Sequence, residues 1–149
     1  MRILGVDFGQ KRIGLAVSDG SEFIASPLEV VTRGGEIVGD ARQIARIADA
    51  EDCGTIVVGM PVNLKGECGP AAEEAARFVQ TLRNQTKLPV VVWDERMTTA
   101  QAQRSLLEGD VSRAGRKIRV DKVAAALILQ NYLDAKAAKA RSIEADAAL

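Results

Sequence analysis

The chain predicts a single α/β domain with a mixed five-stranded sheet, three antiparallel strands followed by β-α units, and helices on both faces. Three observations carry this. The 149 residues are 47% hydrophobic and 27% charged, enough to bury one core without disulfides and too evenly mixed for a disordered or membrane chain. Up to about Val31 the apolar residues come in short runs of strand character. After Gly34 and Gly35 the period lengthens to about 3.6, and helical stretches then alternate with short buried-strand runs.

Element by element, Ile3 to Val6 is an apolar run ending at Asp7, and Arg12 to Ser18 alternates around Ile13, Leu15 and Val17. The intervening Phe8-Gly9-Gln10-Lys11 reads as the turn of a hairpin. Ala25 to Val31, beginning near Pro27, completes a meander. Ile37, Ala41, Ile44, Ala45 and Ala48 recur at helical spacing, with Gly54 as the stop signal. Thr55 to Val58 is a buried strand closed by Gly59. The loop from Gly59 to Pro70 matches no phosphate-binding fingerprint and reads as a crossover, although its glycines and the helix start beyond it could favour a phosphate. Pro70 suits the first position of a helix carrying Ala75, Phe78, Val79 and Leu82. Val90 to Trp93 forms the fifth strand and ends at Asp94-Glu95.

Thr98 and Gln101 stand at capping-box spacing, opening a helix that runs to about Glu108. A basic loop is expected next. From about Val120 a final amphipathic helix carries Val123, Ala124, Leu127, Ile128 and Tyr132. The domain is expected to span 1–134, with 135–149 an alanine-rich, charged tail that frays or moves.

Composition narrows the chemistry. No histidine is present, which excludes Ser-His-Asp and Cys-His mechanisms and removes the commonest transition-metal ligand. Carboxylate oxygens remain, and these suit hard cations such as Mg²⁺ or Mn²⁺. Cys53 and Cys68 are too few for a disulfide framework and read as packing residues. No apolar run reaches the roughly 18–20 residues that cross a bilayer, and the first residues lack the apolar core of a secretory leader, so a cytoplasmic location is expected.

Three acids stand out by placement. Asp7 ends an apolar strand, where a carboxylate is costly unless something cationic meets it; the plainer reading is a salt bridge to Lys11 or Arg12. Glu95 closes the fifth strand, and Asp121 falls in the first turn expected of the last helix, where a macrodipole alone would favour it. Two strand ends and a helix start can converge at one edge of the sheet, where ligands of such folds gather, and can hold cations that promote phosphodiester hydrolysis. Net charge is zero, yet Arg113, Arg116, Lys117, Arg119 and Lys122 crowd around the single acid Asp121, a patch suited either to solvent or to phosphates.

Four ordered motifs then carry a resemblance. They run from Gly5-Val-Asp7-Phe-Gly9-Gln-Lys11-Arg12-Ile-Gly14 through Ser18-Asp19, then Gly59-Met-Pro61 with Gly66 and Gly69, Asp94-Glu95-Arg96-Met-Thr98-Thr99, and Asp121-Lys-Val-Ala124-Ala125. Together they resemble the YqgF/RuvX family of Holliday-junction resolvases, over Met1 to about Asp134. The resemblance implies a ribonuclease-H-like fold related to the RuvC resolvase, and activity in junction cleavage or in maturation of the 5′ end of 16S ribosomal RNA. It places Asp7, Glu95 and Asp121 on the catalytic, metal-holding acids. Lys11, Arg12, Arg96 and the basic residues 113–122 fall where the family meets the substrate backbone. A fourth acid, usual in ribonuclease H sites, has only Asp94 or Asp19 as candidates. The expected partners are precursor 16S rRNA or branched DNA, and with them ribosomal precursor particles, for a monomer or homodimer. The other readings are a non-catalytic RNA- or ribosome-associated assembly factor and, from the Asp7-x-Gly9 hairpin, a nucleotide-binding protein.

Overall fold

A computed structural model describes residues 1–60, 69–94 and 113–147, with side chains in the last segment described from 123 to 144. The elements are β1 (Arg2–Phe8), β2 (Arg12–Ser18), β3 (Ala25–Thr32), α1 (Ile37–Ala50), β4 (Cys53–Met60), α2 (Pro70–Gln85), β5 (Val90–Asp94) and α3 (Arg113–Ala147). One five-stranded sheet has the order β3-β2-β1-β4-β5, antiparallel from β3 to β1 and parallel from β1 to β5. The antiparallel start and the β-α alternation read in the sequence are thus the two halves of one mixed sheet. Pro27, which cannot donate to a ladder, lies in edge strand β3, opposite Ala16 where the register shifts.

The pleat of β1 divides the core. Leu4, Val6 and Phe8 face α1 and α2 and join Ile44, Phe78 and Leu82 in the larger cluster, where the rings of Phe8 and Phe78 stack with centroids 4.3 Å apart. Ile3 faces the other way, into a smaller cluster with Val57, Ala125, Ile128, Leu129 and Leu133 under α3. Helices therefore cover both faces.

The last helix departs from its expected form. Its backbone is helical from Arg113, so the basic stretch before Asp121 is helix rather than loop, and Asp121 is its ninth residue instead of lying in the first turn. Arg, Lys and Ala are strong helix formers, and one glycine among them does not stop the helix. The buried stripe is also rotated by about a residue. Ala125, Ala126, Ile128, Leu129 and Leu133 are buried, whereas Val123, Ala124, Leu127 and Tyr132 are only half-buried. The cause is Gly5, which admits α3 so closely that an added Cβ would lie 2.8 Å from Leu129 Cβ and 3.2 Å from the Ala125 carbonyl oxygen. The last buried residue described is Leu133; the helix continues through mostly exposed residues to Glu144, and its backbone stays helical to Ala147. The helix expected over 98–108 lies outside the described residues.

Cys53 is buried, and that burial pushes its thiol up to about 11. At pH 8, in a Cys68→Ser background, the folded protein should not react with an aromatic disulfide reagent over minutes. In denaturant one thiol should react at once.

The β2–β3 loop closes on Asp19, whose carboxylate accepts the N–H groups of Phe23 at 2.8 Å and Ile24 at 2.9 Å. Those bonds hold its pKa below the ordinary carboxylate value. A depressed folded-state pKa contributes stability above the unfolded value and loses it as pH falls through the folded one. The stability gap between wild type and Asp19→Asn, read by urea unfolding, should accordingly be full at pH 6 and close below about pH 4.

Candidate active site

Asp7 is the next-to-last residue of central strand β1, half-buried at its carboxyl end. Its register neighbours are Gly14 on β2 and Gly59 on β4. Residues directly opposed across a ladder project to the same face, so both ladder neighbours of Asp7 on that face are without side chains. Gly5, two residues back, shares that face, and it is the face covered by α3.

The other strand end falls at the same edge. Trp93 pairs with Gly59 and Asp94 with Met60, so Asp7, Gly59 and Trp93 stand level across three strands and β5 ends one residue further on. Glu95 follows directly and lies outside the described residues, as do Arg96 and the side chains of Arg113, Arg116, Lys117, Arg119, Asp121 and Lys122. Among the described residues no group of three or more His, Cys, Asp or Glu side chains could hold a metal ion. Of Asp7, Glu95 and Asp121, only Asp7 has a described side chain; Asp94, a candidate fourth acid, ends β5 one residue beyond the level of Asp7. Asp19 is not a fourth ligand. It follows the far end of β2, where Val17 pairs with Leu4, and its carboxylate closes the β2–β3 loop.

The direction of α3 follows from its packed portion. At its packed C-terminal portion the Gln130 side-chain N–H donates to the Phe23 carbonyl, its Oε1 accepts the Ala25 N–H, and Lys136 meets Glu22 at 3.3 Å, all at the end of the sheet away from Asp7. The helix consequently runs antiparallel to β1, and residues before Ala125 lead toward Asp7.

Lys11 is exposed in the β1–β2 turn and Arg12 opens β2, half-buried. Gly9 makes that turn possible: its N–H donates to the Arg12 carbonyl at 3.0 Å, and an added Cβ would lie 2.6 Å from the same oxygen. Behind the turn stands Arg33, which the sequence reading missed. Its guanidinium is almost fully buried, pairs with Asp40 at 2.9 Å and Glu74 at 2.7 Å, and lies 4.4 Å over the Phe8 ring. Burial alone would lower its pKa, but the hydrogen bonds and charges of Asp40 and Glu74 outweigh it and raise the pKa instead. The available signal was Asp40, an acid three residues after Ile37 and four before Ile44 on the apolar stripe of α1, which calls for a buried cation. An open hollow of about 470 Å³ adjoins Arg33, lined also by Gln10, Lys11, Thr32, Gly35 and Glu74.

A mixed sheet in this order, with an acid next to the end of its central strand, defines a ribonuclease-H-like protein. Two solved structures have that fold: RuvC of Thermus thermophilus, at TM-score 0.54 and 19% identity over 91% of this chain and 97% of that one, and T. thermophilus RuvC in complex with Holliday junction substrate, at TM-score 0.53 and 17% identity over 89% and 94%. The chain belongs to the RuvX family, described as Holliday junction resolvase, whose model matches residues 1–135. Relatives named "Putative pre-16S rRNA nuclease" are similar along nearly their whole length. That of Thermoanaerobacter pseudethanolicus is 46% identical over 91% of this chain and 98% of its own, and that of Agrobacterium fabrum 43% identical over 95% and 89%. Family membership makes the chain a hydrolase acting on nucleic acid.

Proposed function

We propose that the protein is a divalent-metal-dependent endonuclease of structured nucleic acid, acting in 5′-end maturation of precursor 16S rRNA, in Holliday-junction cleavage, or in both, in the cytoplasm. The observation that carries this is Asp7 itself, a half-buried carboxylate flanked in register by two glycines on the face where α3 approaches. The spacing of the second acid supports it. From Gly5 to Asp7 is two strand residues, about 6–7 Å. From Ala125, whose carbonyl lies beside Gly5, back to position 121 is four helical residues, about 6 Å in the same direction. Residue 121 thus comes level with Asp7, and Glu95 follows a strand that ends within a residue of that level.

This donor set is purely carboxylate in a chain without histidine, which fits Mg²⁺ or Mn²⁺. Asp7, Glu95 and Asp121 would hold the cation, which supplies Lewis-acid polarisation of the phosphodiester. The chain's own contribution is alignment. β1 fixes Asp7 between two ladders, Lys11, Arg12 and Arg96 steady the substrate backbone, and the basic first turns of α3 attract phosphates without reading sequence.

The test offers purified protein a four-way DNA junction and a 16S precursor fragment side by side, with and without Mg²⁺ or Mn²⁺. Cleavage of at least one substrate, lost with chelator and weakened as salt rises, is the expected result. Metal-independent cleavage would refute the metal-dependent mechanism, and binding without cleavage under every condition would refute the enzyme reading in favour of a non-catalytic assembly role.

A further inference from the structure

The β1–β2 turn is held by one residue in three places. The Arg33 guanidinium donates to the carbonyl oxygens of Gly9 at 3.3 Å and Gln10 at 3.1 Å, and the Arg33 backbone N–H donates to the Lys11 carbonyl at 2.9 Å. A trans peptide is planar, so each C=O is opposed by the N–H of the next residue. Three successive carbonyls drawn toward Arg33 therefore turn the N–H groups of Gln10 and Lys11 away from it, out of the protein. The guanidinium is itself fixed from behind by Asp40 and Glu74 and by the Phe8 ring. Asp40 is fully engaged, taking Arg33 Nε on one oxygen and the Gly34 N–H, at 2.9 Å, on the other.

From this clamp we infer that Arg33 is a positioning residue for substrate binding. It never touches the nucleic acid; it orients the Gly9–Lys11 turn so that the outward amides of Gln10 and Lys11, with the Lys11 ammonium, meet one phosphate of the strand being cut. The inference rests on the nuclease reading and adds to it a residue that acts through the turn's backbone. A guanidinium suits the task because its donors are spread over a fixed plane: Nε takes Asp40 while Nη1, on the other side, is shared between Glu74 and the two carbonyls. A lysine has all its donors on one nitrogen and could not span Asp40 on one side and the two carbonyls on the other in the same geometry.

The variants are Arg33→Lys, Asp40→Asn and Glu74→Gln, each assayed at a temperature where thermal melting shows it fully folded. In Arg33→Lys, KM for the cleaved substrate should rise about tenfold with kcat within about threefold of wild type. Without substrate, the NMR order parameters of the Gln10 and Lys11 amides should fall from about 0.85 toward 0.6. Asp40→Asn, a milder disturbance of the same clamp, should raise KM about threefold, and Glu74→Gln, which leaves the carbonyl bonds in place, less than twofold. If lysine restores wild-type KM and a rigid turn, Arg33 is only a counter-ion and the inference fails; should Arg33→Lys not fold, an unchanged KM and turn in Asp40→Asn overturns it equally. The order parameters are read on the free protein, so they decide the turn's dependence on Arg33 even if the wild type proves not to cleave, a result that would count against the nuclease reading instead.

Discussion

Asp7→Asn should abolish cleavage, by about a thousandfold or more, while leaving the thermal transition and nucleic-acid affinity close to wild type. The expectation follows from where Asp7 sits. Its backbone is tied into β2 on one side and β4 on the other, opposite Gly14 and Gly59, so an isosteric amide keeps the strand and its ladders intact. What changes is the charge on the oxygens, and a neutral amide is a poor ligand for a hard cation. Losing a transition-state interaction of about 4 kcal/mol corresponds to a factor of roughly a thousand in rate. Single-turnover cleavage against a binding isotherm, both with protein purified free of host nuclease, separates the two effects. Retained turnover in the variant would rule out Asp7 as a metal-holding acid.

Gly5→Ala should destabilise the fold by about 1–3 kcal/mol through overpacking, which for a chain of this size lowers Tm by roughly 2–12 °C. The new Cβ would sit 2.8 Å from Leu129 Cβ and 3.2 Å from the Ala125 carbonyl, neither of which is the free end of a flexible side chain. The helix has to shift off the sheet, and since position 121 is one turn before Ala125, cleavage should fall along with stability. Gly39→Ala is the control. It lies within α1 with nothing inside 4 Å of an added Cβ, and alanine there should be neutral or stabilising by about 0.5–1 kcal/mol. Equal effects at the two glycines, measured by denaturant unfolding, would refute the close-approach explanation.

Much of the fold was legible because its signals are local. The change of apolar period after Gly34 and Gly35 marks the passage from meander to β-α units, and the end of β5 at Asp94 follows directly from where the apolar run stops, whereas β1 runs one residue past Asp7 because Phe8, expected in the turn, is buried against Phe78. The start and the rotation of α3 were less legible. Helix propensity in residues 113–120 is offset in the sequence by a glycine and a run of like charge, and the helix's true buried stripe is set by a partner 120 residues away, Gly5, that no local pattern reveals. The candidate site was legible in one respect and opaque in another. A lone acid after buried apolar residues is conspicuous, whereas the glycine neighbours that open space around it become neighbours only through strand register. Arg33 was hidden for the same reason. Its partners Gly9, Gln10, Asp40 and Glu74 come from a turn and two helices, and only the acid on the apolar stripe of α1 hinted at a buried cation.

If Asp7, Glu95 and Asp121 act on one shared ion, Mn²⁺ titration by calorimetry in the absence of substrate reveals it without relying on turnover. Wild type should bind the ion, and Asp7→Asn, Glu95→Gln and Asp121→Asn should each weaken that binding at least tenfold while remaining folded. Wild-type affinity in any one of the three variants would contradict a common site.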